Sequence, residues 1–306
     1  MLTMQTLFER AQTIAETLPY LQKHRGITVV VKYGGAAMTE ADVRVKVLKD
    51  VVLLRLVGLN PILVHGGGPE IDTLVKRLGM ETKKVQGYRV TDAATMELVE
   101  MVLSGSTNKG IVQAINTFGG NAIGISGKDG SLLRVEKFMP GGADIGFVGE
   151  VTEVNTQVIR DLTGAGYLPV IAPIGTDDAG QSYNINADTA AAAIAGALRA
   201  EKFIMLTDVP GVLLDVNKPD SLVSSLTVSD ANTLIETGQI SGGMIPKIAA
   251  CLDALARGVG RCHVIDGRQP HAILVELFTD GGVGTMVVPD EVTLEPSCVL
   301  PPVIAT

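Results

Sequence analysis

Lysines set close to short runs of glycine carry the most suggestive chemistry in this 306-residue chain. Lys32 closes the apolar run VVVK directly before Gly34 and Gly35. A cation at the end of a buried strand is costly unless it meets an anion. A second apolar run, ILVH, leads into Gly66, Gly67 and Gly68, with Pro69 at a first-turn position of the helix that follows. Glycines so placed let backbone N–H groups close on phosphate or carboxylate oxygens, and the helix dipole adds to the attraction. Neither loop fits the Walker pattern G-x-x-x-x-G-K-S/T or the dinucleotide pattern G-x-G-x-x-G. Plainer readings stand beside these: a snorkelling surface lysine, and a tight turn that holds no ligand.

Four later stretches add to the inventory. In GYRVTD, Thr91 or Asp92 can cap a helix, and Arg89 stands at the loop-to-helix junction with a fork suited to a carboxylate. In YNINAD, Asn184 and Asn186 fall on one side of an extended segment, and Asp188 reads as the cap of an alanine-rich helix. The run LTDVPGVL is a strand ending in a polar turn. In SGGMIPK a glycine pair leads into a helix with Lys247 on its first turn. A cation there opposes the helix dipole, so an anion nearby is the better reading.

These residues need a frame, and the pattern along the chain supplies one. Strands are predicted at 28–32, 61–65, 122–125, 168–171, 202–206 and 263–265. Helices are predicted at 40–57, 69–77, 93–103, 156–165, 188–199, 229–237 and 244–258. Such alternation implies a mainly parallel sheet covered on both faces. Segments 132–135 and 146–154 read as an antiparallel insertion. The first helix, 6–23, places Leu7, Ile14, Leu18 and Leu21 in one stripe that needs a partner, either its own domain or another subunit. The expected division is an N-terminal helix (1–25), a first lobe (26–180), a second lobe (181–288) and an extended tail (289–306).

Composition excludes several classes. Hydrophobic residues make up 46%, yet aromatics only 4% with no Trp, so the core is aliphatic and alanine-rich. A net charge of −8 argues against a general nucleic-acid surface, and an anionic substrate must be met by a few local cations. Cys251, Cys262 and Cys298 are too widely spaced for a zinc motif and read as free thiols. No apolar run approaches the ~20 residues of a membrane span. The first 25 residues carry Glu9 and Glu16 and lack a signal-peptide core. The chain therefore reads as soluble and intracellular, in the cytoplasm, or in a plastid stroma if a transit peptide has been removed.

The fragments VVKYGG, VHGGGPEI, GYRVTD, NINAD, LTDVPGVL and SGGMIPK, in that order across roughly residues 25–288, resemble the amino-acid kinase family. Within it they are similar to the branch that phosphorylates N-acetyl-L-glutamate. The resemblance implies a three-layer α/β/α sandwich with a mainly parallel central sheet, binding the amino acid in the first lobe and ATP in the second. It implies transfer of the γ-phosphoryl to a side-chain carboxylate. With an ordinary pKa of ~4.3 that group is already ionised, so no general base is needed, and none of the four histidines is an evident catalyst. By the same resemblance Lys32 and Lys247 flank the phosphoryl and Asp188 orients them. Gly67, Gly68, Arg89 and Asn184 bind the acceptor. Gly34, Gly35, Asp208, Gly211, Leu213, Gly242, Gly243 and Met244 serve ATP, with Mg²⁺ held mainly by phosphates and water.

The N-terminal helix and the segment 263–285 are similar to those of the arginine-inhibited hexamers of this family, which are trimers of dimers. That places Tyr20, His263, Glu276 and Gly282 as arginine-site residues, whereas the plainer reading has the segment only completing the second lobe. Relatives in oxygenic phototrophs bind the PII signalling protein, but segment 221–232, in the lobe PII contacts there, carries no arginine or lysine for an acidic partner. Alternatives are a sister enzyme of the glutamate 5-kinase or carbamate kinase type, or a non-catalytic sensor of arginine or PII.

Overall fold

The computed structural model describes residues 4–292. The chain opens with α1 (Met4–Glu16) and α2 (Leu18–His24). The single helix read at 6–23 is thus two, because Pro19 in the first turn of α2 cannot donate into the helix before it. Leu7, Ile14 and Leu18 are exposed and Leu21 packs on the core, so the expected stripe is only partly covered within this chain.

The elements then run β1 (Thr28–Tyr33), α3 (Ala36–Thr39), α4 (Ala41–Leu56), β2 (Asn60–His65), α5 (Gly68–Arg77), β3 (Lys84–Val85) and β4 (Tyr88–Arg89). Next come α6 (Ala93–Glu100), a π-helical stretch Met101–Thr107 and α7 (Asn108–Thr117). The sequence reading stops this helix at 103, since Ser-Gly-Ser looks like a break. Instead the backbone stays helical across the junction residues Glu100, Met101, Thr107 and Asn108. The chain continues through β5 (Ala122–Ser126), β6 (Leu133–Lys137), β7 (Val148–Val154), α8 (Thr156–Gly164), β8 (Leu168–Ala172), β9 (Ile174–Thr176) and β10 (Ser182–Ile185). It closes with α9 (Ala187–Leu198), β11 (Lys202–Thr207), β12 (Ser225–Thr227), α10 (Val228–Glu236), α11 (Met244–Ala256), β13 (Arg261–Asp266), α12 (Ala272–Phe278) and β14 (Thr285–Val288).

Eight strands form one sheet in the order β12-β14-β13-β11-β1-β2-β8-β5. It is parallel from β13 to β5, and β14 runs antiparallel to β13. Successive side chains of β1 enter different layers, as a strand's period of two requires. Val30 joins Ile62, Phe203 and the alanine-rich α9, whereas Val29 and Val31 join Leu63, Ile204 and the α4 leucines. Helices thus cover both faces, giving the three-layer α/β/α sandwich expected from the sequence. The run 190–195 on α9 is wholly buried and, Ile194 apart, bears only methyl groups. Such a surface lets the helix lie close against the sheet.

The predicted antiparallel insertion is present as the β6–β7 pair, which with β9 and β10 closes a small four-stranded barrel. Some short elements were not read from the sequence. Strands β12 and β14 and helix α12 are brief, and their apolar runs carry little periodic signal. Among the described residues no helix is long and apolar enough to cross a membrane. Cys251 and Cys262 are buried free thiols, and Cys298 lies outside the described residues.

Candidate active site

The strands β1 and β2 deliver their C-terminal ends side by side, and both glycine loops leave from there. Gly66 N–H donates to the Tyr33 carbonyl at 2.8 Å, so the second loop is tied to the first. Lys32, one residue before the end of β1, turns toward α9. Its Nζ lies 2.9 Å from Asp188 Oδ1, and Lys247 Nζ lies 3.5 Å from the other oxygen, Oδ2. The Lys32 contact is an ion pair off line for a hydrogen bond. All three side chains are at most 19% exposed. Burial acts to raise the Asp188 pKa, but the two ammonium charges outweigh it and hold the carboxyl below its ordinary value. Two cations around one anion leave a net charge of +1 facing the cleft.

Asp188 is not the helix cap. Asn186 is: its Oδ1 accepts from Asp188 N–H at 2.8 Å and from Thr189 N–H at 3.4 Å. The sequence reading made Asp188 the cap, but the extended backbone at Asn186 gives the role to Asn186. That frees the Asp188 carboxylate for the lysines. In the same way Asp92, of the two candidates, caps α6 by accepting from Thr95 N–H at 2.8 Å.

In both loops glycine leaves room for a neighbouring side chain. A Cβ at Gly34 would stand 2.8 Å from Lys32 Nζ, where the ammonium must sit, and Gly35 has φ +60°. A Cβ at Gly67 would collide with the Leu103 side chain. Gly66, Gly67, Gly68, Arg89 and Asn184 line a cleft of about 200 Å³. Arg89 lies in β4, short of the helix, and its guanidinium is already held. It pairs with Asp72, donates to the Gly68 carbonyl at 3.1 Å and reaches Thr82 at 3.3 Å. Asp72 was not singled out from the sequence; nothing in GPEID marks it as the partner of a residue in a later hairpin. Asn184 Nδ2 reaches Thr91 Oγ1 at 3.4 Å.

A second cleft, of about 490 Å³, is lined by residues 208–213, Gly243, Met244, Lys247 and Arg268. Lys247 belongs both to this wall and to the ion triad, so the cleft ends at the charged centre. Gly211 lies so close to β14 that a Cβ would stand 2.6 Å from Thr285 Oγ1. Gly34, Gly35 and Gly242 do not line this cleft: the first two sit at the end of β1, and Gly242 turns the chain at φ +56°. Arg268 was missed; its fork is aligned by Asp266 at 2.9 and 2.8 Å.

Away from these clefts, His263 and Glu276 form a buried pair, Nδ1 to Oε1 at 2.6 Å. The carboxylate accepts, so the proton is on Nδ1, and Nε2 faces Lys202 Nζ at 3.3 Å. Burial lowers the Lys202 pKa to about 8. Gly282, at φ +56°, turns the chain so that Val283 N–H donates to Glu276 Oε2 at 2.8 Å. Tyr20 reaches over from α2 and donates to Asp280 at 2.7 Å. The four residues Tyr20, His263, Glu276 and Gly282 are therefore neighbours, and Lys202 joins them. A lysine opening an apolar strand gave no separate signal.

Residues 28–266 match the model of the amino acid kinase family. The chain belongs to that family. Acetylglutamate kinase of Heliobacterium modesticaldum is 54% identical over 288 residues, covering 91% of this chain and 98% of that protein. Among solved structures, N-acetylglutamate synthase from Neisseria gonorrhoeae complexed with coenzyme A and N-acetyl-glutamate superposes with a TM-score of 0.80 at 25% identity. That match covers 92% of this chain and 64% of the synthase. The same synthase complexed with coenzyme A and L-arginine gives a TM-score of 0.75 at 25% identity, over 90% of this chain and 64% of that one.

An amino acid kinase uses ATP, and a divalent metal accompanies the nucleotide. Among the described residues no three acidic, His or Cys side chains converge, and both Asp188 oxygens face lysines. A divalent ion accompanying the nucleotide would be held there largely by phosphate oxygens and water.

Proposed function

We propose that this chain transfers the γ-phosphoryl of ATP to the side-chain carboxylate of N-acetyl-L-glutamate, giving an acyl phosphate and ADP. The observation that carries the reading is the Lys32–Asp188–Lys247 triad: Lys247 walls the larger cleft, and Asp188 and Lys247 line an intermediate cleft that shares Tyr88 and Asn186 with the glycine-walled one. ATP would occupy the 208–213 cleft and the amino acid the 66–68 cleft. The acceptor oxygen bonds to phosphorus as the bond to the ADP oxygen breaks, and ADP leaves with that electron pair. No proton moves, because the acceptor carboxylate is already ionised and needs no general base. What the reaction demands is charge stabilisation, and the net +1 of the triad is aimed at the transferring group. Arg89, held in the wall by Asp72, would take the α-carboxylate, and Asn184 the acetylamino portion.

Arginine feedback is the finer part of the proposal. The Tyr20, His263, Glu276 and Gly282 cluster supports it, with Glu276 as the acceptor of a guanidinium. A synthase of similar fold is known with L-arginine bound. The exposed apolar side of α1 supports assembly through that helix into a hexamer. PII binding has no comparable support from the residues.

The test is ADP release with N-acetylglutamate set against glutamate, aspartate, carbamate and UMP, with and without arginine. Turnover is expected with N-acetylglutamate and suppressed by arginine. Equal turnover with free glutamate, or none with N-acetylglutamate, overturns the substrate assignment.

A further inference from the structure

His65 ends β2 immediately before the 66–68 loop and is fully buried. Its Nδ1 is 2.7 Å from the Gly66 carbonyl oxygen, and its Nε2 is 3.2 Å from Asn108 Nδ2. The Asn108 amide is oriented by its own partners. Its Oδ1 accepts from Lys109 Nζ at 3.1 Å, and its Nδ2 donates to the Val170 carbonyl at 2.9 Å. A lysine only donates, so the atom facing His65 is the amide nitrogen. Nε2 must therefore accept, and the one ring proton sits on Nδ1, from which it donates to Gly66. Burial pushes the His65 pKa down to about 4, which keeps the ring neutral at physiological pH.

The consequence reaches the cleft through peptide geometry. The peptide bonds are trans, and in a trans unit the C=O and the following N–H point in opposite directions. A ring that draws the Gly66 carbonyl inward thereby aims the Gly67 N–H outward, into the cleft that Gly66, Gly67 and Gly68 line. Between two glycines the peptide plane is free to rotate, and rotation would present a carbonyl dipole to an anionic acceptor. We propose that His65 is a positioning residue: as the Nδ1–H tautomer held by Asn108, it locks the Gly66–Gly67 peptide with its N–H toward the acceptor. This rests on the reading of that cleft as the acceptor site.

Two isosteric variants separate the ring's two nitrogens. His65→Asn keeps a donor near Nδ1, and His65→Gln keeps an acceptor near Nε2 but loses the donor. Binding of N-acetylglutamate and of ADP to each folded full-length variant is measured by titration calorimetry, alongside kcat and KM. His65→Gln is expected to weaken N-acetylglutamate binding by on the order of 10- to 100-fold, the worth of a hydrogen bond to a charged group, with ADP binding unchanged. His65→Asn is expected to restore most of the loss. Wild-type affinity in His65→Gln, or equal damage in both variants, overturns the assignment alone. Failure of the wild type to bind N-acetylglutamate overturns the acceptor-site reading and this assignment with it. If His65→Gln does not fold, Asn108→Ser carries the test by freeing the tautomer, with weakened acceptor binding expected and unchanged binding overturning the proposal.

Discussion

Replacing Lys247 by alanine tests the charged centre most directly. In the wild type, Asp188 is shared between Lys32 at 2.9 Å and Lys247 at 3.5 Å. Without Lys247 the pair that remains is neutral, so the centre falls from +1 to 0 where negative charge must be stabilised. A unit charge about 4 Å from a developing charge is worth about 4 kcal/mol at an effective dielectric of 20. Lys247 is one-fifth exposed, so solvent trims that figure, and about 3 kcal/mol corresponds to a fall of roughly 100- to 1000-fold in kcat. On the proposed role of this lysine at the transferring phosphoryl, acceptor KM should change little and kcat should carry the loss. The assay is steady-state ADP release with both substrates varied, on protein whose thermal midpoint matches wild type. A kcat within a factor of about three of wild type would refute the electrostatic account, as would a loss confined to KM.

Three further outcomes follow from other parts of the molecule. Gly34→Ala places a methyl 2.8 Å from Lys32 Nζ and should cut kcat while leaving the urea midpoint nearly unchanged; an active variant would mean that the ammonium need not sit there. Asp50, buried on α4 with its Oδ1 2.6 Å from His271 Nδ1, has its pKa raised by burial to about 6. A carboxyl that binds its proton more tightly when folded stabilises the fold at low pH. Stability should therefore decline as pH rises from about 4 to 6, by up to about 1.4 kcal/mol per unit, and Asp50→Asn should flatten that slope in chemical-denaturation curves. Deleting residues 1–24 should abolish arginine inhibition and reduce the assembly to dimers by light scattering; a truncated protein that stays hexameric refutes interlacing through α1.

The strand cores were legible because buried parallel strands announce themselves as short apolar runs, and the predicted and observed ends of the inner strands differ by at most two residues. The loops were legible for a related reason: glycines at strand ends have few purposes. Local rules failed where two residues competed for one role or where the partner was remote. Asn186 and Asp188 both qualify as caps, and only the backbone angle at 186 separates them. Ser104-Gly105-Ser106 reads as a stop, yet the helix passes through it as a π turn because flanking apolar residues such as Leu103 are held by the core. Arg89 and Asp72, or His263 and Lys202, lie too far apart in sequence for any periodicity to join them.

The alanine face of α9 has one more implication. Helices ordinarily lock by setting ridges of side chains into grooves, which fixes their position along their own axis. Over 190–195 α9 offers almost no ridges, and at Gly196 it passes so close to α11 that a Cβ would stand 2.6 Å from Arg257 Cβ. Contact there is intimate but smooth, so it resists tilting more than sliding. Axial position must then be set at the ends, by the Asn186 cap, by the left-handed turn at Arg199 and by the two ion pairs of Asp188. The carboxylate between the lysines is thus also the stop that sets where the helix rests along the sheet.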